Sequence, residues 1–146
     1  MFDKITIIGC GLIGSSLLRA IEKKKLSKTI NIFDKSKEAS TFIKNNFSAQ
    51  VFNDISESVK GSELVIISSP LSSYKEILLS IKSNLKKGVI LTDTGSVKKE
   101  INKIISNLNL ENVHWITSHP IAGTEFSGPE SGFAELFDNR WCILST

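Results

Sequence analysis

Unbroken apolar runs alternate along this chain with stretches whose apolar residues recur every three or four positions. The runs at 5–8, 30–33, 64–68, 89–92 and 113–117 predict strands. A shorter strand-like piece lies at Gln50–Phe52, and a last strand at 141–144. Between them, 12–24, 37–45, 72–85 and 98–108 carry helical periodicity. Ile77, Leu78, Ile81 and Leu85, for example, share one face of the third. A helical turn or two is expected within 129–137. Continuous Val/Ile/Leu runs mark strands covered on both faces, as in parallel sheets. Strands alternating with helices indicate βαβ units. The pattern predicts an α/β fold, doubly wound, with a mostly parallel sheet and helices on both faces.

Composition keeps this picture and excludes others. Hydrophobic residues make up 40% and charged residues 23% of 146, which suits a soluble single domain spanning 1–146. No apolar run approaches the roughly 18–20 residues of a membrane span. No basic segment followed by a long apolar one opens the chain, so a cytoplasmic protein is expected. The formal net charge of +3 comes almost wholly from lysines on helix faces, read as solvated surface, so no nucleic-acid partner is expected. Cys10 and Cys142 stand apart from each other and from both histidines. They read as small buried residues, with no metal site.

The first strand runs into Gly9-Cys10-Gly11-Leu12-Ile13-Gly14. In a GxGxxG turn the first glycine permits the tight bend, the second lets a pyrophosphate approach the backbone, and the third lets the helix pack on the sheet. The helix opening at Leu12 and Ile13 aims its free N–H groups and positive dipole end at the phosphates. Twenty positions past Gly14, the second strand ends at Asp34, whose carboxylate suits the two hydroxyls of an adenosine ribose. Its charge repels a 2′-phosphate, which favours NAD over NADP, although neighbouring Lys35 weakens the preference. Context and spacing make this a Rossmann-type dinucleotide site. The strand at 64–68 ends in Ser69-Pro70. These residues read both as neighbours of the ribose or pyrophosphate and as ordinary helix-start signals.

Two further segments leave the same carboxyl edge of the predicted sheet: Thr92-Asp93-Thr94-Gly95-Ser96-Val97-Lys98 and Ser118-His119-Pro120-Ile121-Ala122-Gly123-Thr124-Glu125. His119, placed in a loop just past its strand, fits a proton-transfer role near neutral pH. It equally fits an ordinary hydrogen-bonded loop histidine, and spacing alone does not choose. His114, at the start of the same strand, reads as structural.

These phrases together, TDTGSVK and SHPIAGTEFSGPESGFAELFDNRWCILST with the N-terminal GCGLIGSSL, resemble the prephenate/arogenate dehydrogenase family over the whole chain. The glycine turn is shared by many oxidoreductases, whereas D-x-GSVK combined with SHP-x-AG-x-E is much more specific. The resemblance implies an oxidoreductase of tyrosine biosynthesis. It implies His119 as the base that deprotonates the C4 hydroxyl of prephenate or arogenate, and Ser96 as the group holding that hydroxyl and the histidine near the nicotinamide. Thr124 and Glu125 match residues that lie at the substrate pocket in some members. The resemblance also implies a helical domain, beyond this length, that dimerises, closes over the small-molecule substrate and carries its binding arginines. Prephenate has two carboxylates, and bidentate recognition favours arginine. Of the two arginines, Arg19 is expected on the first helix, facing away from the catalytic edge, and Arg140 makes no evident clamp. The chain is therefore expected to be the nucleotide-binding part of a longer dehydrogenase. On this reading it binds NAD but turns over prephenate poorly alone, and it leaves apolar surface uncovered near its last strand. The rivals are another NAD(P)-dependent dehydrogenase of the same fold and a non-catalytic nucleotide-binding module.

Overall fold

The computed structural model describes residues 1–145. Its strands are β1 (Phe2–Ile8), β2 (Ser27–Phe33), β3 (Gln50–Phe52), β4 (Leu64–Ile67), β5 (Val89–Asp93), β6 (Val113–Pro120) and β7 (Cys142–Ser145). Its α-helices are α1 (Leu12–Lys23), α2 (Lys37–Asn46), α3 (Ile55–Ser58), α4 (Tyr74–Ile81) and α5 (Lys98–Leu108). The strands order β3-β2-β1-β4-β5-β6-β7. β1 to β6 pair in parallel, and β7 closes the series antiparallel to β6. The order reverses between β1 and β4. In open α/β sheets the crevice for a ligand forms at that switch, outside the carboxyl ends of the strands.

The unbroken apolar runs bury alternate residues on opposite faces. Ile5, Ile7 and Ile66 join a core with Leu18 and Ile21 of α1 and Ile43 of α2. Ile8, Val65, Ile67 and Leu91 join a second core with Ile77, Leu78 and Ile81 of α4 and Ile101 of α5. Each such fully buried aliphatic side chain contributes about 1.5–3 kcal/mol, so two layers of them hold the helices on both faces. α2 begins at Ser36, whose hydroxyl accepts from the Ala39 N–H at 3.2 Å.

Several expectations need correction. β1 and β2 begin three residues earlier than their apolar runs, because their pairing continues into polar positions such as Lys4 opposite Thr29. The single helix expected over 72–85 is α4 flanked by 3-10 turns at Leu71–Ser73 and Lys82–Asn84. α3, a four-residue helix capped by Asp54, is too short to show periodicity. β6 does not stop at Thr117 but runs to Pro120, because pairing of His119 with Ile143 and of Pro120 with Cys142 extends it. His119 is therefore a strand residue and not a loop residue. Cys10 is buried as expected, but Cys142 is exposed, since β7 is an edge strand with all four residues exposed. Around it Trp141 is 83% exposed and Leu144 66%, an uncovered apolar edge. Among the described residues, no helix is long and apolar enough to cross a membrane.

Candidate functional site

The β1–α1 turn sits at the switch point, and its glycines are demanded by different neighbours. Gly9 has φ +93°, and a Cβ there would lie 2.5 Å from the Ser68 carbonyl oxygen. A Cβ on Gly14 would lie 1.9 Å from the Gly9 carbonyl oxygen, so any side chain would prise α1 off the turn. A Cβ on Gly11 would meet no protein atom within 4 Å. The protein itself thus excludes side chains at Gly9 and Gly14 and leaves open space at Gly11. α1 then begins with no side-chain cap and no acidic residue in its first turn, so its positive end is not neutralised internally.

Two cavities meet over this turn, sharing Gly11, Ser68, Ser69 and Pro70. The first, of about 450 Å³, is lined by Gly9, Cys10, Asp34 and Lys35 and by apolar groups including Ala39, Ile55 and Pro129. Asp34 is held from two sides: Oδ2 accepts from the Cys10 N–H at 2.6 Å, and Oδ1 from the Ser36 N–H at 2.8 Å. The Ser69 hydroxyl donates to the Ile8 carbonyl at 3.3 Å, so it braces the turn from the β4 side. Burial, followed by the Asp34 charge, pushes the Cys10 thiol up to about 12.

The second cavity, of about 500 Å³, is lined by Leu12, Ile13, Thr94, Gly95, Ser96, Val97, His119 and Pro120. Ser96 and His119, more than twenty residues apart in sequence, thus face one space together with the start of α1. Ser96 is exposed and His119 partly buried. Thr124 and Glu125 do not line this cavity. Both are exposed, and the Thr124 hydroxyl accepts from the Phe126 N–H at 3.1 Å. His114 is exposed at the far end of β6. Among the described residues, no arginine or lysine lines the second cavity.

Beneath it lies an arrangement that residue types alone did not reveal. Asp93, fully buried at the end of β5, accepts on Oδ2 from Lys98 Nζ at 2.6 Å and from the Gly95 N–H at 2.8 Å. Its Oδ1 accepts from the Ser118 N–H at 3.2 Å. Lys98 Nζ also donates to the Ser118 carbonyl at 2.5 Å, and the Ser118 hydroxyl donates to the Asp93 carbonyl. One ion pair therefore knots the loop bearing Ser96 to the strand residue preceding His119. The Tyr74 hydroxyl, 3.4 Å from Asp93 Oδ2, is held protonated far above its ordinary range by burial first and by that carboxylate second. Both ends of the pair stood within TDTGSVK. A spacing of five across a turn carries no signature of contact, so only the fold discloses it.

The chain has clear relatives. The family profile described as prephenate dehydrogenase, nucleotide-binding domain, matches residues 17–146. The cyclohexadienyl dehydrogenase of Zymomonas mobilis is 39% identical over 99% of this chain and 50% of its own length. The prephenate dehydrogenase of Lactococcus lactis is 34% identical over 97% of this chain and 40% of its own length. These two alignments reach the glycine turn that the profile match leaves out. The chain thus spans about half the length of the curated relatives it matches. Among solved structures, prephenate dehydrogenase from A. aeolicus in complex with hydroxyphenyl propionate and NAD+ superposes with a TM-score of 0.86 at 25% identity. It covers all of this chain and 51% of that one. Synechocystis arogenate dehydrogenase, 24% identical with a TM-score of 0.84, shares the fold over 97% of this chain and 49% of its own.

Proposed function

Because the chain belongs to the prephenate dehydrogenase family, as its nucleotide-binding domain, we propose that it holds NAD along the crevice and, within a longer protein, oxidises prephenate or arogenate with loss of carbon dioxide. The observation that carries this reading is the meeting of the glycine turn, Ser96 and His119 around connected cavities. The residues fit the dinucleotide. Glycine at 11 answers no steric demand of the protein, so the approach of a pyrophosphate explains it best. The uncapped N–H groups around Leu12 and Ile13 then receive that anion. Gly9 and Gly14 shape the turn, and Ser69 and Pro70 wall the cleft where its halves join. Asp34, already oriented by two backbone N–H groups, keeps acceptor capacity for both ribose hydroxyls, and its negative charge disfavours NADP. The A. aeolicus relative was crystallised with NAD+.

When bound, NAD supplies a hydride acceptor, and the protein supplies orientation and proton removal. His119 takes the proton from the C4 hydroxyl of the substrate as hydride leaves C4. The C1 carboxylate departs as carbon dioxide, and the ring becomes aromatic. Ser96 holds the hydroxyl and the imidazole in register from across the cavity. Prephenate gives 4-hydroxyphenylpyruvate, and arogenate gives tyrosine. Thr124 and Glu125, exposed beside the cavity, join the substrate pocket only when something closes over it.

Calorimetric titration of this chain with NAD and NADP tests the cofactor half of the proposal. NAD should bind at least about tenfold more tightly than NADP, the size of one lost or repelled charge contact. Asp34→Ser should shrink or reverse that ratio. No binding of NAD, or tighter binding of NADP by the unaltered chain, would sink the reading.

A further inference from the structure

We infer that Arg19 is a positioning residue for the adenosine half of the dinucleotide site, acting through a wall of chain that it fixes in place. The inference rests on the NAD reading above. After β6 the chain crosses back over α1 and touches α2. Gly128, at φ +86°, turns it into a 3-10 helix at Pro129–Ser131, and a second follows at Ala134–Phe137. Pro129 is buried, and with Gly128 it lines the same cavity as Asp34.

That wall has few apolar anchors of its own, Leu136 and Pro129 being its buried ones. Polar ties to α1 hold it. Arg19 Nη1 donates to the Pro129 carbonyl at 2.9 Å and to the Ser15 carbonyl at 3.3 Å. The guanidinium also stacks over the Phe47 ring, at 5.0 Å from its centroid, so it joins α1, the end of α2 and the wall. A lysine has the charge but lacks the flat fork that serves ring and carbonyl together. The Phe133 N–H donates to the Ser16 hydroxyl at 3.1 Å, and Lys23 pairs with Glu135. Contact is closest at Gly132, where a Cβ would lie 2.2 Å from Ser15 Oγ and 2.5 Å from Arg19 Nη1. Arg19 itself lines neither cavity, as expected of a residue facing away from the catalytic edge, but it holds the carbonyl of Pro129, which does line the first.

A wall ordered before the ligand arrives imposes no ordering cost on binding, whereas a loose one does. The role is therefore read in the affinity for the adenosine half alone. Binding of ADP-ribose and of nicotinamide mononucleotide to this chain should be measured for Arg19→Met, Arg19→Lys and Gly132→Ala, with thermal melting alongside. Arg19→Met and Gly132→Ala, which disturb the same contact from opposite sides, should each weaken ADP-ribose about tenfold and leave the mononucleotide within about twofold. Arg19→Lys should fall between. ADP-ribose affinity unchanged in both disruptive variants would overturn the inference. So would an equal loss for both fragments, the mark of a generally loosened fold. Failure of the unaltered chain to bind NAD would instead overturn the cofactor reading from which this one starts.

Discussion

At the Asp34 end of the crevice the protein presents groups that are held rigidly from behind. Gly9 and Gly14 are packed against carbonyl oxygens, the Asp34 carboxylate is held by two N–H groups, and the Pro129 wall is tied to α1. At the His119 end, Ser96 and His119 stand over one ion pair whose carboxylate, Asp93, is fully buried, and they open outward. Ser96 is exposed, Val97 is 49% exposed and Ile121 43%, and the neighbouring strand β7 is exposed throughout. The difference teaches where each task is solved. On the proposed reading, dinucleotide recognition is built from local sterics. On the same reading the other end carries a base, His119, and an orienting hydroxyl, Ser96, but among the described residues no lysine or arginine lines it to meet a carboxylate.

The largest expected effect separates the two ends outright. In a chain extended to the length of its relatives, His119→Asn should lower kcat by about a hundred- to ten-thousandfold, the usual contribution of a positioned general base. NAD affinity should stay within about twofold. A parallel loss of NAD binding would show that the two ends are not separate. Next comes the ion pair under the open end. Lys98→Met leaves the Asp93 carboxylate buried without its cation, and removal of one partner of such a pair costs about 3 kcal/mol. For a chain of this size that lowers Tm by roughly 10 °C. Asp93→Asn should cost less, since the Lys98 side chain is 25% exposed and can turn to water. Scanning calorimetry of the two variants gives the order. Asp93→Asn being the more damaging would mean that the backbone bonds to Gly95 and Ser118, and not the charge pair, make the knot.

How far the sequence disclosed this molecule follows the same division. The glycine turn and Asp34 were legible because their signal is local: a strand, a turn and a helix in fixed succession, with the acidic residue at a set distance. The doubly wound sheet was legible because its strands are unbroken aliphatic runs. Ser96 and His119 could be named from contiguous motifs, but not their shared cavity, which depends on β5 and β6 ending side by side. Local pattern puts His119 in a loop, whereas β6 is prolonged through it by an antiparallel partner more than twenty residues later, a pairing that no local pattern announces. Asp93, Lys98 and Arg19 escaped for a related reason. Each is polar in a stretch where polar residues are normally solvated, and each acts through contacts set by tertiary packing.

The smallest expected effect probes the closed end through its thiol. Cys10 lies fully buried in the glycine turn with its pKa raised to about 12, against 9.0 for an ordinary thiol. The folded state therefore keeps the proton that the unfolded chain releases above pH 9. The contribution of this group to stability is complete below pH 9 and is lost as the pH climbs toward 12. The loss amounts to about 1.4 kcal/mol at pH 10. Tyr74, raised in the same direction, adds to the decline at still higher pH. Urea unfolding at pH 8 and pH 10 should therefore show a fall that is shallower in Cys10→Ala by about that amount. In the native chain a thiol reagent at pH 8 should label Cys142 on the exposed strand at once and leave Cys10 untouched. Rapid labelling of both would mean that the turn opens readily. The dinucleotide end would then lose its claim to be the rigid one.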